Sequence, residues 1–239
     1  MCRCRCFSRY TNMQFTEPEY SFYSTETSAV RPQLVTLAMG CFWKPDALFG
    51  GQEGVLQTAV GYAGGDSDAP TYWNLGQHLE TVQLVTDPAT ISFEQLLDLF
   101  FSNHSPGKLP WKRQYTSAIF CHSEEQEAAA RQRIATEEQK RNQPLHTLVL
   151  PFQHFYFAEA RHQKWYLQRH HALRQELELT HPNLPRFYQT TTAARLNAYL
   201  AGFWPREKLE QLLPNLTLTA EAIQLLLSST PAKTQIYCS

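Results

Sequence analysis

Cysteine is the residue type in this chain best suited to chemistry, and the spacing of its six copies singles one out. Cys2, Cys4 and Cys6 crowd the first six positions, whereas Cys41, Cys121 and Cys238 stand far apart. That is not the spacing of a disulfide-stapled secreted domain. Cys41 lies in Gly40-Cys41-Phe42-Trp43, where an apolar run of strand character turns into a helical pattern. The N–H groups and partial positive charge of a helix start favour a thiolate, so a nucleophilic thiol of lowered pKa is expected there. Gly40 allows the sharp turn. Phe42 and Trp43 offer aromatic surface against which a methyl group and a sulfur can rest. Taken alone, the same placement also suits a buried structural cysteine. Cys121 ends an expected strand and reads as core. The Cys2 to Cys6 run reads as an incidental tail, with acylation or metal binding as alternatives. The nine histidines show no metal-ligand spacing. His162, His170 and His171 read as the solvated face of one helix, and no metal or organic cofactor is expected.

The elements that must position Cys41 follow from hydrophobic periodicity. Residues 34–39, 55–62, 81–86, 115–121 and 146–152 read as strands. Residues 41–48, 92–101 and 158–171 read as helices, the second opened by a Ser92/Gln95 capping box. A long polar helix capped by Ser123 is expected to run to about residue 141. Shorter helices follow at 192–200, 206–213 and 220–227, punctuated by Gly202, Pro205 and Pro214. Strands interleaved with helices imply an α+β fold with a mixed sheet. The expected organisation is a disordered tail at 1–32, a catalytic domain at 33–180 and a helical extension at 181–239. With 21 basic against 22 acidic side chains, nothing draws the chain generally to nucleic acid or anionic membrane. No apolar stretch is long enough to span a bilayer, and no secretory signal is expected.

The surrounding residues extend the Cys41 motif. They are Ala47-Leu48-Phe49, Val60-Gly61-Tyr62-Ala63-Gly64-Gly65, Pro70-Thr71-Tyr72 and His78-Leu79-Glu80-Thr81-Val82. Gln114-Tyr115-Thr116-Ser117-Ala118-Ile119-Phe120, Ala158-Glu159 and His162-Gln163-Lys164 follow. Together they closely resemble the A-type peptide methionine sulfoxide reductases over residues 34–171, in a branch with a Trp-x-Arg-Gln-Tyr stretch. The resemblance implies a two-layer sandwich of a mixed sheet with packed helices, carrying a C-terminal helical extension. It implies thiol-dependent reduction of methionine S-sulfoxide, free or in proteins, as antioxidant repair. Cys41 would attack the sulfoxide sulfur and pass through a sulfenic acid. Glu80 would give a proton to the sulfoxide oxygen, Tyr72 and Tyr115 would bind that oxygen, and Phe42 and Trp43 would seat the methyl group. Thioredoxin or another thiol would recycle the enzyme, which is expected to be a monomer. A peroxide-reducing thiol, and a module that holds oxidised methionine without turnover, are the other readings of these residues.

The chain departs from the family pattern at four places. Lys44 stands where a glycine usually follows Gly-Cys-Phe-Trp, and its charge near the thiol would favour the thiolate. The segment between Tyr72 and Glu80 is short and lacks a cysteine found in many members. Pro110 stands where many members carry an acid, which bears on the proton network. A helical extension replaces the Gly-rich tail with its resolving cysteines. Cys238 is therefore the candidate resolving thiol. A reducing compartment is expected, the cytoplasm first and a mitochondrion as the alternative.

Overall fold

The computed structural model describes residues 31–229. The tail at 1–30, with Cys2, Cys4 and Cys6, and the end carrying Cys238 lie outside the described residues. In chain order the elements are β1 (Gln33–Ala38), α1 (Trp43–Gly50), β2 (Val55–Ala63), β3 (Leu79–Thr86), α2 (Phe93–Ser102) and β4 (Ala118–Cys121). They continue with α3 (Glu124–Arg141), β5 (Leu148–Pro151), β6 (Phe155–Phe157), α4 (Trp165–Arg169) and α5 (His171–Thr180). The last four are α6 (Leu184–Phe187), α7 (Thr191–Leu200), α8 (Arg206–Leu212) and α9 (Ala220–Ser228). The strands form one six-stranded sheet in the order β5-β4-β1-β3-β2-β6. All pairs are antiparallel except β4 with β5, which are parallel and joined through α3. The sheet is mixed and carries packed helices, so the fold is the expected α+β class.

Alternation decides which strand residues meet the helices. Val35 and Leu37 of β1, and Val82 and Leu84 of β3, share a core with Leu48 and Phe49 of α1 and with Leu96, Leu97, Phe100 and Phe101 of α2. Glu80 is two residues before Val82 on β3, so the same alternation turns its carboxylate toward α1 among apolar neighbours. The reciprocal Ser92/Gln95 capping box is present at the start of α2. The long polar α3 needs little core contact because its ends are well made. Ser123 accepts from the N–H of Gln126, acids fill the first turn, Lys140 and Arg141 fill the last, and Asn142 closes it in the left-handed region.

Four expectations are corrected. The strand expected from Tyr115 starts at Ala118, and residues 113–115 form a 3₁₀ turn instead. The helix expected from Cys41 starts at Trp43. Residues 158–171 are not one helix. A 3₁₀ turn at 160–162 gives way to extended Gln163 and left-handed Lys164 before α4. β6 and α5 fall where the sequence reading had no separate element.

That break at Lys164 has a physical reason, and it fixes α1. Lys164 and Asp46 are both fully buried. Lys164 Nζ reaches Asp46 Oδ1 at 2.9 Å and the Thr58 carbonyl at 2.7 Å, and the Lys164 N–H donates to Asp46 Oδ2 at 3.1 Å. Thr58 Oγ1 and Asn197 Nδ2 also donate to Asp46. One carboxylate of α1 is thereby tied to β2, to the turn before α4 and to α7. Arg195 of α7 donates to the carbonyls of Gly50 and Val55, closing the other end of α1. A buried charge that loses its partner is costly, so Lys164→Met should lower unfolding free energy by about 3–5 kcal/mol. Urea titration measures this, and the double variant Asp46→Leu/Lys164→Met should recover part of the loss. Among the described residues, no helix is long and apolar enough to cross a membrane.

Candidate active site

Cys41 sits in the bend between β1 and α1, partly exposed, one residue before the helix cap Phe42. Gly40 before it adopts φ +95°, a backbone conformation that side chains rarely tolerate, although a Cβ there would meet nothing within 4 Å. Conformation, not space, demands the glycine. Phe42 is buried and packs on Tyr62 (6.0 Å between ring centres), Val60 and Ala158. Its N–H donates to Glu80 Oε2 at 3.2 Å. Gln114 Nε2 donates to the other oxygen, Oε1, at 2.9 Å. Glu80 is 2% exposed. Burial pushes its carboxyl up to about 7, against smaller opposing effects of these two hydrogen bonds and the charge of Lys112. The carboxyl joined to the residue next to Cys41 is thus part-protonated near neutrality.

A second carboxylate nearby behaves oppositely. Glu159 accepts from the Tyr62 hydroxyl at 2.8 Å and from the Tyr72 N–H at 3.0 Å. Burial pushes it up, but these and further hydrogen bonds and the charge of His162 outweigh burial and hold it below the usual carboxylate range. Two acids pushed apart in this way can take different roles.

Tyr72 stands in a tight turn closed by paired hydrogen bonds between Thr71 and Asn74. His78 braces the loop below it. Its Nδ1 accepts from the Gly65 N–H at 3.2 Å and its Nε2 donates to the Ser67 carbonyl at 2.8 Å. A Cβ on Gly65 would lie 2.4 Å from the His78 ring, so Gly65→Ala should displace this loop and Tyr72 with it. A loss of thermal stability together with weakened substrate binding is the expected readout. The Tyr72 ring lies 4.8 Å from His162, which in turn packs on Phe42 (5.5 Å) and Trp43 (6.0 Å). Trp43 stacks on Trp165 of α4 with ring centres 3.6 Å apart. Tyr115 follows Gln114 directly in the 3₁₀ turn and packs against Trp111 at 5.4 Å.

The structure therefore gathers Phe42, Trp43, Tyr72 and Glu80 around the bend at Cys41, with Tyr115 on the turn that holds Glu80. Cys121 is buried, and burial pushes its thiol up to about 12. Lys44 has a further partner at the end of α2, where its ammonium is bound to the Asn103 carbonyl at 2.6 Å. Pro110 is absent from the Glu80 hydrogen bonds, which Phe42 and Gln114 supply without an acid at that position. His162 is not on a solvated face: it is 4% exposed and buried among the site aromatics, away from any shared helix face with His170 and His171. Sequence reasoning assigned no role to Gln114, Glu159, His162 or Trp165. Their recurrence in the family-like stretches was the available signal for the first three. Among the described residues no group of three histidines, cysteines or acids could hold a metal.

A family model described as peptide methionine sulfoxide reductase matches residues 33–195. A peptide methionine sulfoxide reductase of Drosophila melanogaster is 47% identical over 171 residues, covering 70% of this chain and 68% of that protein. Peptide methionine sulfoxide reductase A5 of Oryza sativa is 37% identical over 182 residues, covering 73% and 70% respectively. Among solved structures, methionine sulfoxide reductase A of Corynebacterium diphtheriae superposes with a TM-score of 0.53 at 29% identity, covering 58% of this chain and 74% of that one. Reduced Mxr1 of Saccharomyces cerevisiae gives 0.54 at 26%, covering 59% and 90%. Fold and matches together define a thiol-dependent oxidoreductase acting on sulfur, one that reduces methionine sulfoxide in protein repair. The chain belongs to the peptide methionine sulfoxide reductase family, A type.

Proposed function

We propose that Cys41 is the nucleophile in the reduction of methionine S-sulfoxide, and that Glu80 is its proton donor. The observation that supports this most is the Glu80 carboxyl, raised to about 7 and hydrogen-bonded to the N–H of Phe42, the neighbour of Cys41. Sulfoxide oxygen leaves sulfur poorly until it is protonated, and a buried carboxylic acid can protonate it near neutral pH. Glu159, held ionised, suits positioning of Tyr72 and not proton donation. Tyr72 and Tyr115 hold the sulfoxide oxygen, and Phe42 and Trp43 seat the methyl group. The Cys41 sulfur bonds to the sulfoxide sulfur as Glu80 protonates the oxygen. The oxygen then passes to Cys41, methionine departs reduced by two electrons, and Cys41 is left oxidised by two as a sulfenic acid. A thiol condenses with it to a disulfide, releasing water, and thioredoxin or another dithiol reduces that disulfide. With dithiothreitol as reductant, the S epimer should be consumed and the R epimer left untouched. Turnover of neither epimer, or equal turnover of both, would overturn this reading.

Cys238 is the proposed resolving thiol, although it lies outside the described residues. Ser229, the last described residue, bonds to His170 at 2.8 Å, and His170 directly follows α4, whose Trp165 stacks on Trp43. Cys238 is nine residues further on. A chain of nine residues can reach at most about 30 Å. Mass spectrometry after one equivalent of sulfoxide, without reductant, should find a Cys41–Cys238 disulfide. A sulfenic acid at Cys41 trapped by dimedone, with Cys238 still reduced, would instead assign recycling to an external thiol. The catalytic unit is proposed to span residues 33–180 with the later helices as an extension that supports α1. The proposed compartment is the cytoplasm or a mitochondrion, and the proposed state a monomer.

A further inference from the structure

Among the described residues five large apolar side chains are left exposed, and three of them stand on two neighbouring loops. Trp73 (82% exposed), Leu109 (74%) and Trp111 (60%) stand on the two loops that carry Tyr72 and Tyr115. Exposed apolar surface gathered in one place commonly marks a contact site. The loops touch one another, because Arg113 Nε donates to the Gln77 carbonyl at 3.2 Å. Neither tryptophan is on a loose end. Trp73 lies in the turn closed by Thr71 and Asn74, with its ring 5.2 Å from Tyr72. Trp111 packs on Tyr115. A cation also stands at each ring: Arg161 lies 5.9 Å from the Trp73 ring, and Lys112 lies 4.5 Å from the Trp111 ring. Beyond Trp111 the surface continues as an open groove of about 570 Å³ that includes Leu109, Pro110, Arg113 and Leu148.

We propose that Trp73 and Trp111 form a cradle for the polypeptide on either side of the oxidised methionine, selecting extended segments with apolar neighbours and acidic residues beyond them. This rests on the active-site reading above. The tryptophans do not enter the chemistry. They contact backbone and side chains that free methionine sulfoxide lacks, and their rigid placement lowers the ordering cost of binding. Lys112 and Arg161 then meet carboxylates of the bound chain, a screened attraction that adds to apolar contact.

The test compares two substrates: N-acetylmethionine S-sulfoxide, and a short peptide with the same sulfoxide flanked by leucines and ended by glutamates. The variant is Trp73→Ala/Trp111→Ala in the full chain. Its kcat/KM on the peptide should fall at least about tenfold, mainly through KM, the scale of loss when aromatic anchors are removed from an interface. Its kcat/KM on the small substrate should stay within about twofold, the behaviour of residues that add only remote binding. Raising the salt concentration should raise KM for the glutamate-ended peptide and not for the small substrate. An undiminished peptide rate, or an equal fall on both substrates, would overturn the cradle. A lysine-ended peptide that matches the glutamate-ended one would overturn its charge preference. Wild-type protein inactive on both substrates would overturn the active-site reading instead.

Discussion

Cys41→Ser is expected to abolish reduction of methionine S-sulfoxide, with less than a tenth of the wild-type rate remaining under any reductant. The two electrons that reduce the sulfoxide must come from the attacking atom, and a serine oxygen cannot supply them by forming a sulfenic acid. Removal of a covalent nucleophile therefore acts on the whole cycle and not on one step. Cys41 is only partly buried and lies outside α1, so serine should fit the bend. An unchanged melting temperature is the control that separates lost chemistry from lost fold. A rate above that tenth in a folded variant would remove Cys41 from the role.

Glu80→Gln should slow the reductive step by roughly 100-fold or more, while substrate binding changes far less. Single-turnover kinetics separates the two. Gln keeps an acceptor for the Phe42 N–H, so the local geometry can survive while the proton is lost. The pH dependence carries a second signature. In the wild type the reductive rate should fall as pH rises through about 7, where Glu80 gives up its proton. That falling limb should be missing in the Gln variant. Stability moves in the same direction. The folded carboxyl sits near 7 and its ordinary value is 4.5. The native chain therefore holds a proton that the unfolded chain releases between these values. The associated stability is full below 4.5 and is lost as pH rises through 7. Glu80→Gln should thus melt higher relative to wild type at pH 8 than at pH 5. An unchanged chemical rate in the variant would pass the proton transfer to Tyr72 and Tyr115.

The extent to which the sequence revealed this protein differs from one region to another. Strands β1, β2 and β3 and helices α2 and α3 were legible because each has its own local signal: alternation, a capping box, or charges matched to the helix ends. Glu80 was legible only through the family resemblance, because the strand was expected to begin at Thr81 and Glu80 by itself reads as a solvated residue at its edge, whereas β3 begins at Leu79. The 115–121 run misled because Tyr115 and Ile119 look like a strand. A hydrogen bond from Gln114 to Glu80 and one from Arg113 to Gln77 hold the turn there instead, and both partners are more than thirty residues away. The 158–171 run misled for a related reason. Its residues favour helix locally, but the bonds of Lys164 to Asp46 and Thr58 require a left-handed residue at that point.

The sequence by itself determined the order of elements from β1 to β5, the mixed sheet with its helices and the nucleophile candidate at a strand-to-helix bend. These depend on periodicity, turn residues and caps within a few positions of one another. Only the tertiary structure decided which carboxylate can hold a proton near neutral pH. Glu80 and Glu159 are the same residue type, each in a family-like stretch, and nothing local distinguishes them. Burial against α1, with the Phe42 N–H and Gln114 as partners, lifts one to about 7, whereas the Tyr72 N–H, the Tyr62 hydroxyl and the His162 charge keep the other low. Proton affinity is set by desolvation and by partners that the chain brings together from distant positions, so it exists only once the fold has formed.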